Sequence, residues 1–173
     1  MNGRPGRANQ MNAAAIAAGG EVLWFLHADV KIPPGAATVI ERVLGDPTVV
    51  AGAFTTRTVC DDGSSALEFV FPLADLRSHY SRLPYGDQGL FVRREVFERV
   101  GGFPPQPIFE DLEISRRLWS CGRIVVVPER VEVSARRFLA RPVYYTAVMN
   151  VFPVLYRLGV GPERLARWYD VVR

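Results

Sequence analysis

Tyr85-Gly86-Asp87-Gln88-Gly89-Leu90-Phe91-Val92-Arg93-Arg94, then Val100-Gly101-Gly102-Phe103-Pro104 and Phe109-Glu110-Asp111-Leu112, is the stretch around which the chain is organised. Leu90-Phe91-Val92 is short, apolar and flanked by turn residues, so it reads as a buried strand. From Arg93 to Val100 the apolar residues Val96, Phe97 and Val100 recur at helical spacing, and Gly101 stands where a helix takes a left-handed cap. Pro104, Pro105 and Pro107 stiffen the loop that follows. That loop delivers Glu110 and Asp111 to the first turn of a second helix, which runs through Leu112, Ser115, Leu118 and Trp119 to Gly122, with Arg116 and Arg117 about two turns on. Any helix N-terminus favours carboxylates through its dipole, so position alone leaves a catalytic and a structural reading of the pair open.

Upstream, Asn9 can cap an alanine-rich helix over Gln10–Ala18 that stops at Gly19-Gly20. Val22-Leu23-Trp24-Phe25-Leu26 is a continuous apolar run, as expected of a parallel strand covered on both faces. It ends in His27-Ala28-Asp29. Ligands of open α/β sheets bind outside the carboxyl ends of strands, and strand alternation puts His27 and Asp29 on one side. Asp29 can equally cap the turn into Pro33-Pro34 and a helix over Ala36–Leu44. Val49–Thr56 reads as a strand, Asp61-Asp62-Gly63-Ser64 as a solvated turn, and Ala66–Tyr80 as a helix interrupted by Pro72.

Downstream, Ile124–Val127 is a buried strand broken by Pro128, and Val131–Ser134 a short strand leading into Arg136-Arg137. Paired arginines after a strand end suit a diphosphate; a surface pair opening the next helix is the other reading. From Pro142 the chain is aromatic and apolar, with Pro153 inside, too short and interrupted to span a bilayer. It reads as a helix packed on the sheet or on a second subunit, with docking at a membrane surface as the alternative.

The 173 residues are one domain's worth of chain, taken as a single domain 1–173 with a C-terminal helical segment 141–173. Hydrophobic content of 49% and charged content of 23% are ordinary for a globular protein. Net charge is +3 and Lys31 is the only lysine. No basic run is interleaved with aromatics, which argues against nucleic acid as a partner. Cys60 and Cys121 form no metal or redox motif, and two isolated thiols without a signal peptide point to a reduced, cytoplasmic protein.

Gly-Asp-Gln-Gly-Leu-Phe-Val-Arg-Arg (86–94), Val-Gly-Gly-Phe-Pro (100–104) and Glu-Asp-Leu-Glu-Ile-Ser-Arg-Arg-Leu (110–118) fall in this order within one window. Together they resemble the acceptor half of a family-2 glycosyltransferase of the GT-A fold. Phe25-Leu26-His27-Ala28-Asp29 resembles a bacterial subgroup in which His27 replaces the first residue of an Asp-x-Asp motif. The resemblance implies an α/β, Rossmann-like three-layer fold with a mostly parallel central sheet. It implies an inverting, metal-assisted transfer from a nucleotide-diphosphate sugar to the hydroxyl of a sugar or lipid-linked acceptor. Asp111 would be the base, and Glu110 with Gly86, Asp87, Gln88 and Gly89 would shape the acceptor side. His79 and Tyr80 would border that side. Asp29 and His27 would hold Mn²⁺ or Mg²⁺, and Arg136 and Arg137 with Asp29 would meet the diphosphate. Nothing before Gly19 reads as a buried strand, so the family's first βαβ, which grips the nucleotide, is expected to be missing. The exposed sheet would then invite a homodimer or a separate N-terminal half. A catalytically silent truncated domain acting as a binding module is the alternative function.

Overall fold

The computed structural model describes residues 6–60, 71, 75 and 83–170, without the side chains of Arg137 and Asp170. The expected turn at Asp61–Ser64, most of the helix over Ala66–Tyr80, and His79 and Tyr80 lie outside the described residues.

Five strands form one sheet: β1 (Val22–Trp24), β2 (Val30–Lys31), β3 (Val49–Val59), β4 (Phe91–Arg93) and β5 (Arg123–Ser134), in the order β1-β4-β3-β5-β2. Helices cover both faces. α1 (Arg7–Ala17), α3 (Arg94–Arg99) and α4 (Glu110–Trp119) pack on one side, where Ala15, Val92, Phe97, Phe103, Ile114 and Leu118 share a core. α2 (Ala36–Leu44) packs on the other through Ile40 and Leu44, against Phe54, Phe91 and Val127. Phe91 and Val92 thus point to opposite faces, as the strand period of two requires. The expected three-layer α/β architecture is present.

The sheet is nevertheless mostly antiparallel, and this corrects the expected strand direction. Among the described residues only β3 and β5 run parallel; β1–β4, β3–β4 and β2–β5 are antiparallel. An apolar run reports burial and carries no information on direction. β1 is an edge strand beside β4, and Val22 and Leu26 at the ends of its run are exposed.

Three boundaries also differ. α1 begins at Arg7 with Gly6 at the cap position, so Asn9 lies inside the first turn instead of capping it. Arg7 and Ala8 are good helix formers, and the Arg7 side chain is tied down by an ion pair described below. Pro128 does not break the second buried strand. Phe54 pairs with Val127 and Thr55 with Arg130, so Pro128 and Glu129 bulge out of a continuous β5. Thr55 Oγ donates to the carbonyls of both bulged residues at 3.1 Å. β3 runs on past Thr56 to Val59, paired with β5 throughout. Gly101, with φ 80°, does close α3 as its sequence position suggests.

Arg93 and Arg94 each tie off a helix. Arg93 donates to the carbonyls of Leu44 and Asp46 at the end of α2, and Arg94 to those of Ala15 and Ala18 at the end of α1. Gly52 lies where β3 passes between β4 and β5. A Cβ there would sit 2.3 Å from the Phe91 ring and 2.7 Å from the Val125 carbonyl. Gly52→Ala is therefore expected to destabilise the fold by about 2–3 kcal/mol, read from the midpoint of urea unfolding. A shift under about 0.5 kcal/mol would mean the sheet spreads freely at this point.

No disulfide joins Cys60 and Cys121. Cys60 packs beside Phe71 and Phe138, and Cys121 against the α4 face of the sheet. The chain ends in α5 (Arg136–Ala140), α6 (Pro142–Arg157) and α7 (Pro162–Asp170). α6 reaches the loop before α4, where the Tyr156 ring lies 5.1 Å from that of Phe109. No described helix is long and apolar enough to cross a membrane.

Candidate active site

β1 and β4 meet with Trp24 opposite Phe91, and Phe25 N–H extends the pairing by donating to Leu90 O at 2.8 Å. The residues after β1 and those before β4 are therefore side by side at one edge of the sheet. This places His27 next to the single 3₁₀ turn Gly86–Gln88, while Asp29 leads into β2 at the other edge of the sheet.

Gln88 fixes that turn. Its side chain is 1% exposed, donates to Phe54 O at 3.0 Å and accepts from Tyr85 N–H at 2.9 Å. It thus holds this turn onto β3 from beneath and presents nothing at the surface. Gly89 follows in the left-handed region at φ 63°, and a Cβ there would approach Trp24 Nε1 and Leu26 Cδ2 to 3.2 Å.

α4 docks on the same turn. Ser115 Oγ donates to Pro84 O at 2.8 Å from a fully buried position, and Asp111 Oδ2 accepts Gly86 N–H at 2.7 Å. Asp111 Oδ1 accepts the N–H of Leu112 at 2.8 Å. Phe109, immediately before the acidic pair, holds φ 62°, a costly conformation for a residue with a Cβ. Glu113 is occupied by Arg116 and Arg117 at 2.9 and 3.1 Å, as the i+4 spacing suggests for the second of them. These arginines hold its carboxyl below the usual range, the Arg116 hydrogen bond being the largest cause.

The residue that closes the arrangement comes from α1. Arg7 Nε lies 2.7 Å from Glu110 Oε1, and Arg7 Nη2 3.6 Å from Asp111 Oδ2. The Glu110 contact is an ion pair and lacks hydrogen-bond alignment, since that oxygen is buried without a hydrogen-bond donor. A Cβ on Gly86 would fall 2.2 Å from Arg7 Nη2, 2.9 Å from His27 Nε2 and 3.1 Å from Asp111 Oδ2. Three side chains from α1, the end of β1 and the start of α4 thus converge on one glycine. Around it lies a small cavity lined by the polar side chains of Arg7, His27, Tyr85 and Asp111 and the apolar ones of Met11, Phe25, Leu90 and Phe103.

Burial sets the electrostatics here. Glu110 is 3% exposed, and desolvation raises its pKa above the ordinary carboxylate value, with the Asp111 charge adding to the rise and Arg7 opposing it. The helix dipole does not keep this residue at a normal acidity. His27 is pushed below its ordinary value, first by burial and then by Arg7, while Asp87, Asp29 and Asp111 pull the other way. Its Nε2 is buried and makes no hydrogen bond. An imidazole held neutral with one nitrogen unengaged, beside carboxylates, has the donor character a divalent cation takes. Among the described residues no three His, Cys, Asp or Glu side chains gather tightly enough to hold a metal by themselves. Two protein ligands suffice where a diphosphate supplies further oxygens; of the expected pair, His27 lines the pocket around Gly86 and Asp29 does not.

Asp29 is half-buried and lies one step along the β2–β5 register from the Val30–Val133 pair, opposite Ser134. Arg136, exposed at the start of α5, is two residues beyond Ser134. Asp29 and Arg136 thus share one end of the sheet, but neither lines the pocket around Gly86. The backbone of Arg137 lies at that end as well.

Two residues escaped the sequence reading. Arg7 had no partner legible locally, although its spacing to Met11 puts both on one helical face. Asn12 donates to Phe103 O at 2.8 Å and accepts from Phe103 N–H at 2.9 Å. Gly102, at φ 69°, would place a Cβ 2.7 Å from Asn12 Oδ1, which is why Gly-Gly-Phe admits no side chain there.

Among solved structures, the chain is similar to the mannosyltransferase PcManGT from Pyrobaculum calidifontis, in complex with GDP-Man and Mn²⁺. The TM-score is 0.52 and identity 24%, over 75% of this chain and 36% of that one. It is similar also to GalNAc-T7 with UDP, GalNAc and Mn²⁺, with TM-score 0.53 and 20% identity over 75% of this chain and 30% of that one. The chain has a partial GT-A fold. It spans about a third of the length of these two proteins. No model of a protein family matches the sequence, and no curated protein does.

Proposed function

We propose that this GT-A chain is part of a glycosyltransferase that moves a sugar, with inversion, from a nucleoside-diphosphate donor to a hydroxyl of a sugar or lipid-linked acceptor. The observation that carries the reading is the convergence of His27, Arg7 and Asp111 on Gly86 at the mouth of one pocket.

Asp111 takes the proton of the acceptor hydroxyl. Its two oxygens each hold one backbone N–H, which fixes the carboxylate plane and leaves lone pairs for that proton. Glu110 is too buried to touch substrate. It acts through Arg7, anchoring the guanidinium beside Asp111. Asp29 and His27 would hold Mn²⁺ or Mg²⁺, which when bound neutralises charge on the departing diphosphate. Arg136 and Arg137, at the end of β5 near Asp29, add positive charge for the same group.

The test is release of nucleoside diphosphate from a panel of UDP- and GDP-sugars with Mn²⁺ and simple glycoside acceptors. Release that requires both donor and acceptor is expected; no release from any donor by folded protein counts against the reading. Asp29→Asn is expected to weaken Mn²⁺-dependent binding of a nucleoside diphosphate about tenfold or more, as for a lost charged ligand. Unchanged calorimetric binding in that variant would remove Asp29 from the site.

A further inference from the structure

The outer face of α6 has no partner among the described residues. Val143, Ala147, Val151, Val154 and Leu158 recur at spacings of three and four, which places them within about 80° of arc on the helix. All five are exposed, Val143 at 83% and Leu158 at 76%. The other sides of the helix are engaged: Tyr156 with Phe109, Phe152 with Trp168, and Tyr144 Oη donating to Trp168 O at 3.2 Å. The aliphatic stripe is therefore in excess of what the fold needs.

Charge decides what covers it. α6 contains no acidic residue. Residues 135–173 carry seven arginines against Glu163 and Asp170, a net +5 in a chain whose total is +3. Arg157 neighbours the stripe on α6 and is exposed, and Arg141, Arg164, Arg167 and Trp168 are exposed elsewhere in this C-terminal segment. A second copy of this face would set like charges together. An exposed aliphatic stripe beside Arg157, in a segment of strong net positive charge, instead matches the surface of an anionic bilayer.

We propose that α6 and α7 seat this protein on anionic phospholipid membranes, with the Val143–Leu158 stripe entering the headgroup boundary and the arginines meeting lipid phosphates. The opposite side of α6 meets the start of α4 through Tyr156 and Phe109. The seating does not depend on the transferase reading, and lipid binding is measured without donor or acceptor.

The experiment is co-sedimentation of the full chain with vesicles of phosphatidylglycerol and phosphatidylcholine, against vesicles of phosphatidylcholine alone. Binding to the anionic vesicles is expected, with loss of most of it in 0.5 M salt. Val143→Asn with Leu158→Asn is expected to lower partitioning about tenfold, and Arg157→Glu with Arg167→Glu more than tenfold. Circular dichroism and thermal unfolding should be unchanged for these exposed positions. Folded wild-type protein that stays in the supernatant overturns the proposal. So does equal binding to both vesicle types. A dimer in sedimentation velocity that Val143→Asn with Leu158→Asn dissolves, without lipid binding, also overturns it and gives the face to a second copy.

Discussion

Asp111→Asn is expected to lower sugar-transfer turnover about 10²- to 10⁴-fold, the range for loss of a positioned general base. The amide keeps an oxygen that can accept the Gly86 N–H now held at 2.7 Å, so the turn and α4 should stay in register. Donor affinity should change little, and stability by about 1 kcal/mol at most. Glu110→Gln should affect turnover less, because a side chain 3% exposed reaches no substrate and works only through Arg7. Steady-state kinetics on the two variants separates the roles. Near-normal turnover in Asp111→Asn with none in Glu110→Gln would exchange them, and full activity in both would leave the pair as helix-start residues.

Arg7→Met is expected to destabilise the fold by about 2 kcal/mol near neutral pH. Removing one partner of a buried pair costs about 3–5 kcal/mol, discounted here because Arg7 is 46% exposed. The effect should depend on pH in a defined direction. Burial and Asp111 raise the folded pKa of Glu110, and Arg7 opposes the rise. A carboxyl raised on folding contributes stability that is present in acid and lost as pH climbs through its folded value. Without Arg7 that value rises further, so the loss is larger and extends to higher pH. The difference between wild type and Arg7→Met should therefore be small near pH 4 and grow toward pH 7. Adding Glu110→Gln should abolish most of it, since no buried charge then remains unmatched. Urea unfolding across this range is the check. A pH-independent difference would mean that Arg7 stabilises only through packing.

Much of this arrangement was legible in the chain. The turn–strand–helix around Leu90–Val92, the left-handed Gly101 and the placement of Glu110-Asp111 on a first helical turn all follow from short-range spacing. What escaped was long-range. Arg7 meets Glu110 across more than a hundred residues, and Asn12 meets Phe103 across 91; neither has a local periodic signal. Strand direction is not legible, because Val22–Leu26 is as apolar as a parallel strand yet sits on an edge. A proline inside a strand usually ends it, whereas here the bulge opposite Thr55 absorbs Pro128. The structural role of Gln88 was likewise hidden, since a buried amide saturated by Phe54 and Tyr85 cannot be told from an exposed one by its neighbours in sequence.

If Asp111 takes the acceptor proton, one displacement joins acceptor to sugar carbon on the face opposite the leaving diphosphate. Proton NMR of the product formed from a donor of known anomeric configuration measures this directly. The account predicts a single product of inverted configuration. A product that retains the donor's configuration would contradict it.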